Sequence, residues 1–323
     1  MKAFLTGATG FIGGHVAGKL RERGDDVVAL VRSPAKAGRL RDLGCELVEG
    51  DLSDAEAIRH GTAGCDAVFH IGAVYKVGIP DSEHAAMYDT NVRGTERVLD
   101  AAAEAGVARA VYISTGNVYG NTGRRAVDEG YVRRQPPEFL SYYDETKYQA
   151  HQVALDRISK GAPVVIAMPG GVYGPDDPSE LGNLIDQTRT GKLKLRVFAD
   201  SGFNFVYVED LADGIIAVHD RGAIGQSYNL AGEQGTLGAL MDKTAALSGR
   251  KPPRVAMPPA LMKLAIPIGP LVGKAMGFPP NLGELIRTSD GVTFWMTDQK
   301  ARDELGFAPR GLDAGLRETL GIS

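Results

Sequence analysis

The chain predicts an α/β fold, a doubly wound parallel sheet with a smaller domain over its C-terminal edge. Three observations predict it. Short apolar runs recur through the first half without alternating, amphipathic helical stretches separate them, and a glycine-rich loop joins the first run to the first helix. Strands buried on both faces read as continuous apolar runs. Strand–helix–strand alternation with right-handed crossovers then places helices on both faces of one sheet.

KAFLT (2–6) opens the sheet, and DVVALV (26–31), CELVE (45–49), DAVFH (66–70), RAVYIS (109–114) and PVVIAM (163–168) follow. Helical periodicity is clearest over 11–23, 85–105 and 141–160. After residue 170 glycine and proline become frequent, and eight prolines fall within 252–280. Residues 1–170 are therefore expected to form a dinucleotide-binding domain to which about 206–230 returns. A substrate-binding domain is expected from about 171–205 and 231–323. No internal repeat or low-complexity tract interrupts this plan.

Composition narrows the function. The net charge of −4 and the lack of a dense Lys/Arg run argue against a nucleic-acid or anionic-membrane surface. Cys45 and Cys65 are too few for a disulfide framework and read as small buried residues in a reducing compartment. The apolar start of MKAFLTGATG is too short for a secretory segment. The most membrane-like run, LAIPIGPLVG (264–273), has ten residues and two prolines, where a span needs roughly 20 apolar residues. A cytoplasmic protein with no membrane partner is expected.

TGATGFIGG (6–14) follows the first strand and opens the first helix. Gly7 permits a tight turn, Gly10 lets the backbone approach a pyrophosphate, and Gly13 lets helix pack on strand. Thr9, Phe11 and Ile12 complete the candidate cofactor contacts. The helix N-terminus favours the phosphates' negative charge. This context favours a Rossmann-type dinucleotide site over a ligand-free glycine turn. Which dinucleotide depends on the end of the second strand, where NAD-binding folds place an acid. Here Arg32-Ser33-Pro34-Ala35-Lys36 stands there, with no acid until Asp42. Arg32 and Lys36 suit a 2′-phosphate, so NADP(H) is preferred and NAD(H) is the alternative. The plainer alternative makes both residues solvated groups at the start of a surface helix.

FLSYYDETKYQAHQ (139–152) supplies the reactive candidates. Tyr143 and Lys147 are four apart and share a helix face, whereas Tyr142 pairs with Thr146. An isolated phenol titrates near pH ~10. An ammonium one turn away, together with an oxidised nicotinamide ring, is expected to lower that value. Tyr143 would then exchange a proton with a carbonyl or alcohol oxygen, and Lys147 would also hold the nicotinamide ribose. YISTGNVYG (112–120) falls at the end of the fifth strand, where open sheets place their crevice. Ser114 or Thr115 could offer a hydroxyl there.

These residues carry a resemblance. TGATGFIG, Asp51-Leu52, HIGA (70–73), NVRGT (91–95), STGNVYG (114–120), YDETK (143–147), PGGVYGP (169–175) and FVYVEDLADGI (205–215) resemble, in order, the extended short-chain dehydrogenase/reductase family. This is the group with NAD-dependent epimerase/dehydratase-like members, and the likeness is greatest to dihydroflavonol 4-reductase-like proteins. The resemblance implies that Thr115 takes the catalytic Ser/Thr position and that Asp51 meets the adenine amino group. It also implies that Ala73 lines the cofactor groove and that Asn91 supports the proton and water network. Leu52, Pro169 and Val172 join the implied cofactor contacts. Gly72, Gly116 and Met168 depart from the family pattern. Gly116 leaves Thr115 the sole hydroxyl partner, and Met168 cannot make an arginine's contacts.

The fold hosts reductases, hydroxysteroid dehydrogenases and nucleotide-sugar enzymes alike. Arg32, Gly171 in place of a diphosphate-touching Asn, and the stretch HIGAVYKVGIPDSEHAAMYDTNVRGT lean toward reduction of a small or medium organic ketone or aldehyde. A nucleotide-sugar epimerase or dehydratase with tightly bound NAD is the alternative, and a non-catalytic NADP(H)-sensing regulator is a third reading. Candidate substrate walls are Tyr75, Thr115, Gly171, Val172, Tyr173, Phe205 and the 258–280 region. Val172 and Tyr173 read equally as core, and Met276 and Phe278 as lid or packing. Arg124, Arg125, Arg133 and Arg134 read as a solvated loop face rather than an anion trap. His70 reads as structural, and the scattered histidines form no metal site. The resemblance allows a homodimer through helices near 85–105 and 141–160, where Val153, Leu155 and Ile158 are available.

Overall fold

The computed structural model describes residues 1–253, 255–256, 263, 266 and 281–322. Met276, Phe278 and nearly all of the 258–280 wall and the 264–273 apolar run lie outside the described residues.

The six expected strands form as β1 (Lys2–Thr6), β2 (Asp26–Val31), β3 (Glu46–Glu49), β4 (Ala67–His70), β5 (Arg109–Ile113) and β6 (Val164–Pro169). The later strands are β7 (Gly171–Tyr173), β8 (Leu195–Arg196), β9 (Gly202–Tyr207), β10 (Ser227–Leu230), β11 (Glu233–Thr236) and β12 (Val255–Ala256). A seven-stranded parallel sheet runs β10-β6-β5-β4-β1-β2-β3. Strand order reverses between β1 and β4, which opens a crevice at their C-terminal ends.

Side-chain alternation divides the core. Ala3 and Leu5 of β1, Phe69 of β4 and Val111 of β5 pack with Val16, Ala17 and Leu20 of α1 (Phe11–Glu22) on one face. Leu211 and Ile215, on the later helix Val208–Arg221, join them. Phe4, Val68 and Tyr112 point the other way, toward Ile58, Val98, Leu99, Ala150 and Ala154. Those five ride on α2 (Ala55–Thr62), α3 (Gly94–Glu104) and α4 (Tyr142–Ser159). On α4 Leu155 is 37% exposed and Ile158 packs against this second core.

The helix expected over 85–105 is interrupted. An α-helical turn, His84–Tyr88, passes into a π-helical turn, Asp89–Arg93, before α3 begins. Such turns often mark functional sites, and this one carries Asn91. Beyond residue 170, β9 pairs in parallel with β7 and antiparallel with β11. This small sheet covers a third core of Tyr173, Ile185, Phe205, Leu240, Leu312 and Leu316. Among the described residues no helix is long and apolar enough to cross a membrane, and no group of His, Cys, Asp and Glu could hold a metal ion.

Candidate active site

The glycine loop leaves β1 beside the segment that follows β4. Gly7 has φ +74°, and a Cβ there would stand 2.8 Å from the Gly72 nitrogen; one on Gly13 would stand 2.2 Å from the Gly7 oxygen. Side chains are therefore excluded where the spacing requires glycine. Thr9 and Gly10 are exposed, Phe11 and Ile12 half-buried. α1 begins at Gly10 with no side-chain cap and no acid in its first turn. Its orphan amides and positive dipole end face the crevice, a setting that fits a pyrophosphate.

Arg32 and Lys36 are both exposed at the end of β2. Arg39 joins them, its Nη1 3.4 Å from where a Cβ on Gly14 would lie. Only its place in the run of basic residues 32–41 could have marked it from sequence. Asp51 is held below the usual carboxylate range, first by hydrogen bonds from Ser53 and then by the charge of Arg32. The Ser53 N–H and hydroxyl donate to its Oδ1 at 2.8 and 2.6 Å. Leu52 is buried in the second core, so its side chain is a packing group at the groove's floor. Ala73 is exposed beside it.

Ser141 starts the reactive helix by accepting the Asp144 N–H at 3.0 Å. Tyr143, on the first turn, is buried, and Tyr75 meets its ring edge-on with centroids 4.7 Å apart. Tyr75 is 58% exposed. Burial pushes the Tyr143 phenol above its ordinary range; the neighbouring Tyr75 and Tyr112 add to this, and the facing Thr115 hydroxyl works against it. The expected acidification by Lys147 is thus corrected for the protein alone. Lys147 donates instead to the Ile113 carbonyl at 3.0 Å and the Tyr112 hydroxyl at 3.3 Å. It is itself buried, and burial pulls its pKa down to about 7.

The open choice between Ser114 and Thr115 resolves. Ser114 Oγ lies 3.0 Å from His151 Nδ1, behind the strand. Thr115 is half-buried and faces Tyr143, with Asn117 as its other partner at 3.3 Å.

Asn91 is a positioning residue. Its Oδ1 accepts the Val74 N–H at 2.8 Å, and its Nδ2 donates to the Val74 carbonyl at 3.0 Å and to Thr146 Oγ1 at 3.1 Å. These bonds tie the Tyr75 segment to α4. Behind them, Thr95 spends its single hydroxyl proton on the Asn91 carbonyl at 2.7 Å. His70 Nε2, 3.0 Å from Thr95 Oγ1, must therefore donate. His70 Nδ1 then accepts from Thr6 Oγ1 at 2.8 Å, and Thr6 accepts the Gly72 N–H at 3.1 Å. Burial first, then the Lys147 charge, lowers His70 to about 3, so it is a neutral structural link.

Two other expectations, for Phe205 and Arg133, are corrected, and Tyr173, read equally as wall or core, falls to the core. Tyr173 and Phe205 are fully buried in the third core, because β7 and β9 point them beneath the small sheet rather than into the crevice. Val172 is half-buried against the first core, and Pro169 is buried at the end of β6. Gly171 pairs with Phe205 in the small sheet, and a Cβ there would lie 3.3 Å from the Asn204 oxygen. Arg133, read as solvated, is 8% exposed. Its guanidinium forms two bonds to Asp144, at 2.9 and 2.8 Å, and also donates to the Glu138 carbonyl. The connection before α4 is thereby anchored next to Tyr143.

A glycine cradle, a crevice at the strand reversal and a Tyr–Lys–Thr group beside it define an NAD(P)-dependent oxidoreductase of the extended short-chain dehydrogenase/reductase type. The chain belongs to the NAD dependent epimerase/dehydratase family, whose model matches residues 3–231. It is 32% identical over 266 residues to sterol demethylase protein B of Methylococcus capsulatus, covering 81% of this chain and 79% of that protein. It is 31% identical over 326 residues to the 4-hydroxy-2-methyl-3-oxo-4-farnesyl-3,4-dihydroquinoline-1-oxide ketoreductase of Stigmatella aurantiaca, covering 97% and 95%. The crystal structure of gox2253 is similar with a TM-score of 0.83 and 30% identity, covering 99% of this chain and 96% of that one.

Proposed function

We propose that this enzyme is an NADP(H)-dependent reductase of a ketone or aldehyde on a small or medium organic substrate. The observation that carries the reading is the placement of Tyr143 in the crevice, its ring meeting Tyr75 edge-on and its hydroxyl facing Thr115 at the end of β5. A phenol so placed can give its proton to a carbonyl oxygen in the reductive direction. The ketoreductase likeness over 97% of the chain supports the same direction. Arg32 and Lys36, exposed with no acid at the end of β2, support NADP(H).

A reduced nicotinamide bound in the crevice would supply hydride to the carbonyl carbon. Thr115 would donate a hydrogen bond to the carbonyl oxygen and fix its place against Tyr143. As negative charge grows on that oxygen, the Tyr143 hydroxyl would give up its proton, completing the alcohol. The phenolate left on Tyr143 would then take back a proton from solvent, while Lys147 holds the end of β5 through the Ile113 carbonyl and the Tyr112 hydroxyl.

Thermal shift with NADPH, NADH and UDP- or dTDP-sugars finds the preferred ligands without knowledge of turnover, and carbonyl compounds are then screened with the preferred coenzyme. Tyr143→Phe should lower kcat for the best substrate by about 10²–10⁴-fold while NADPH still binds. Full activity in that variant, or tight NAD together with stabilisation by a nucleotide sugar, would overturn the reading.

A further inference from the structure

The helix Leu282–Ser289 opens with the sequence Asn281-Leu282-Gly283-Glu284. In a capping box the first side chain takes the fourth residue's N–H, and the fourth side chain reaches back to the first residue's N–H. Only the forward half forms here, with Asn281 Oδ1 accepting the Glu284 N–H at 3.0 Å. The Asn281 N–H goes instead to the Gly78 carbonyl at 3.0 Å. Glu284 Oε1 is freed to accept the Tyr142 N–H at 2.9 Å, across 142 residues of sequence, and Oε2 lies 3.4 Å from Asn281 Nδ2. Glu284 is 3% exposed.

Both diverted contacts land on the reactive cleft. Tyr142 is the first residue of α4 and immediately precedes Tyr143; its ring lies flat on His84, centroids 3.7 Å apart and 4° from parallel. Gly78 belongs to the segment that carries Val74 and Tyr75. One pair of residues from the C-terminal part of the chain therefore holds the Tyr75 wall and the Tyr143 helix together. The carboxylate satisfies an N–H that has no partner within its own helix, at the end where negative charge is favoured.

We propose that Glu284, supported by Asn281, is a positioning residue that fixes the first turn of the catalytic helix and so sets where Tyr143 meets Thr115 and Tyr75. Its kinetic consequence rests on the reading of Tyr143 as proton donor; its structural consequence does not. Glu284→Ala and Glu284→Gln are compared with wild type in the full chain. Glu284→Ala should speed amide exchange about tenfold over 139–147 and 74–80, with β1–β6 unchanged. With NADPH and a carbonyl that the wild type reduces, its kcat should fall about 10- to 100-fold, since small misplacements near the chemistry are costly. KM for NADPH should stay within about twofold, because the glycine cradle is remote from the change. Glu284→Gln keeps Oε1 as an acceptor and should restore most of both readouts.

Wild-type exchange over 139–147 in Glu284→Ala would overturn the proposal. So would faster exchange spread through the sheet, or a Glu284→Gln variant no better than Glu284→Ala. Should the wild type reduce no carbonyl, the exchange pattern still decides the positioning role, and only the redox reading falls.

Discussion

Replacing Lys147 by methionine should stabilise the free protein while disabling it. Lys147 is 4% exposed, and burial pulls its pKa from 10.5 down to about 7. At roughly 1.4 kcal/mol per pKa unit, holding the ammonium costs the fold up to about 5 kcal/mol at acidic pH. There both folded and unfolded chains carry the proton. Between the two values the unfolded chain keeps its proton and the folded chain releases it, so stability rises with pH across that window. From pH 6 to 9 the wild type should gain about 2–3 kcal/mol relative to Lys147→Met. Methionine leaves the Ile113 carbonyl and the Tyr112 hydroxyl without their donor, at about 1–3 kcal/mol. The variant should therefore exceed wild type by about 2 kcal/mol at pH 6 and match it near pH 9. Urea unfolding of both proteins, without coenzyme and at fixed ionic strength, measures this. A difference that stays constant within about 0.5 kcal/mol between the two pH values would refute the lowered pKa of Lys147.

The charges at the two ends of the site give further expectations. Arg32→Ala should weaken NADPH binding about 10- to 100-fold and leave NADH within about twofold, as charged hydrogen bonds to phosphate predict; fluorescence titration decides, and equal losses for both coenzymes would remove Arg32 from the 2′-phosphate. Arg133→Met leaves the buried Asp144 carboxylate without its counter-charge, keeping only the Leu140 N–H, so denaturant unfolding should show a loss of about 3–5 kcal/mol. The double variant Arg133→Met/Asp144→Leu should recover much of that loss; failure to recover would assign the cost to packing.

How far the sequence could be read depended on whether the cause was local. β1 to β6 were legible because continuous apolar runs between helical stretches have few other uses. The glycine spacing and the Tyr143–Lys147 pair were legible for the same reason, since each requirement lies within one turn or loop. Arg133 was misread because its partner Asp144 becomes visible only once the connection folds back on α4. Phe205 was misplaced and Tyr173 left open because the small β7–β9–β11 sheet is assembled from distant segments, and only its pairing decides which face points inward. For Lys147 periodicity supplies the helix face it shares with Tyr143, but the Ile113 carbonyl and the Tyr112 hydroxyl, on β5, claim the ammonium. Glu284 left half a signal, an Asn-x-x-Glu pattern whose unused half no inspection of residues 281–284 alone could assign.

The π-helical turn at Asp89–Arg93 bears on how this chain can vary in length. It accommodates one residue more than an α-helical path would, and each residue of an α-helix advances the face by about 100°. With that residue deleted, the turn would straighten into ordinary helix. Either the amide clamp of Asn91 on Val74 or the apolar seam of Val98 and Leu99 against the sheet could then keep its bearing, but not both. The segment should tolerate substitutions at its exposed positions far better than any change in the number of residues.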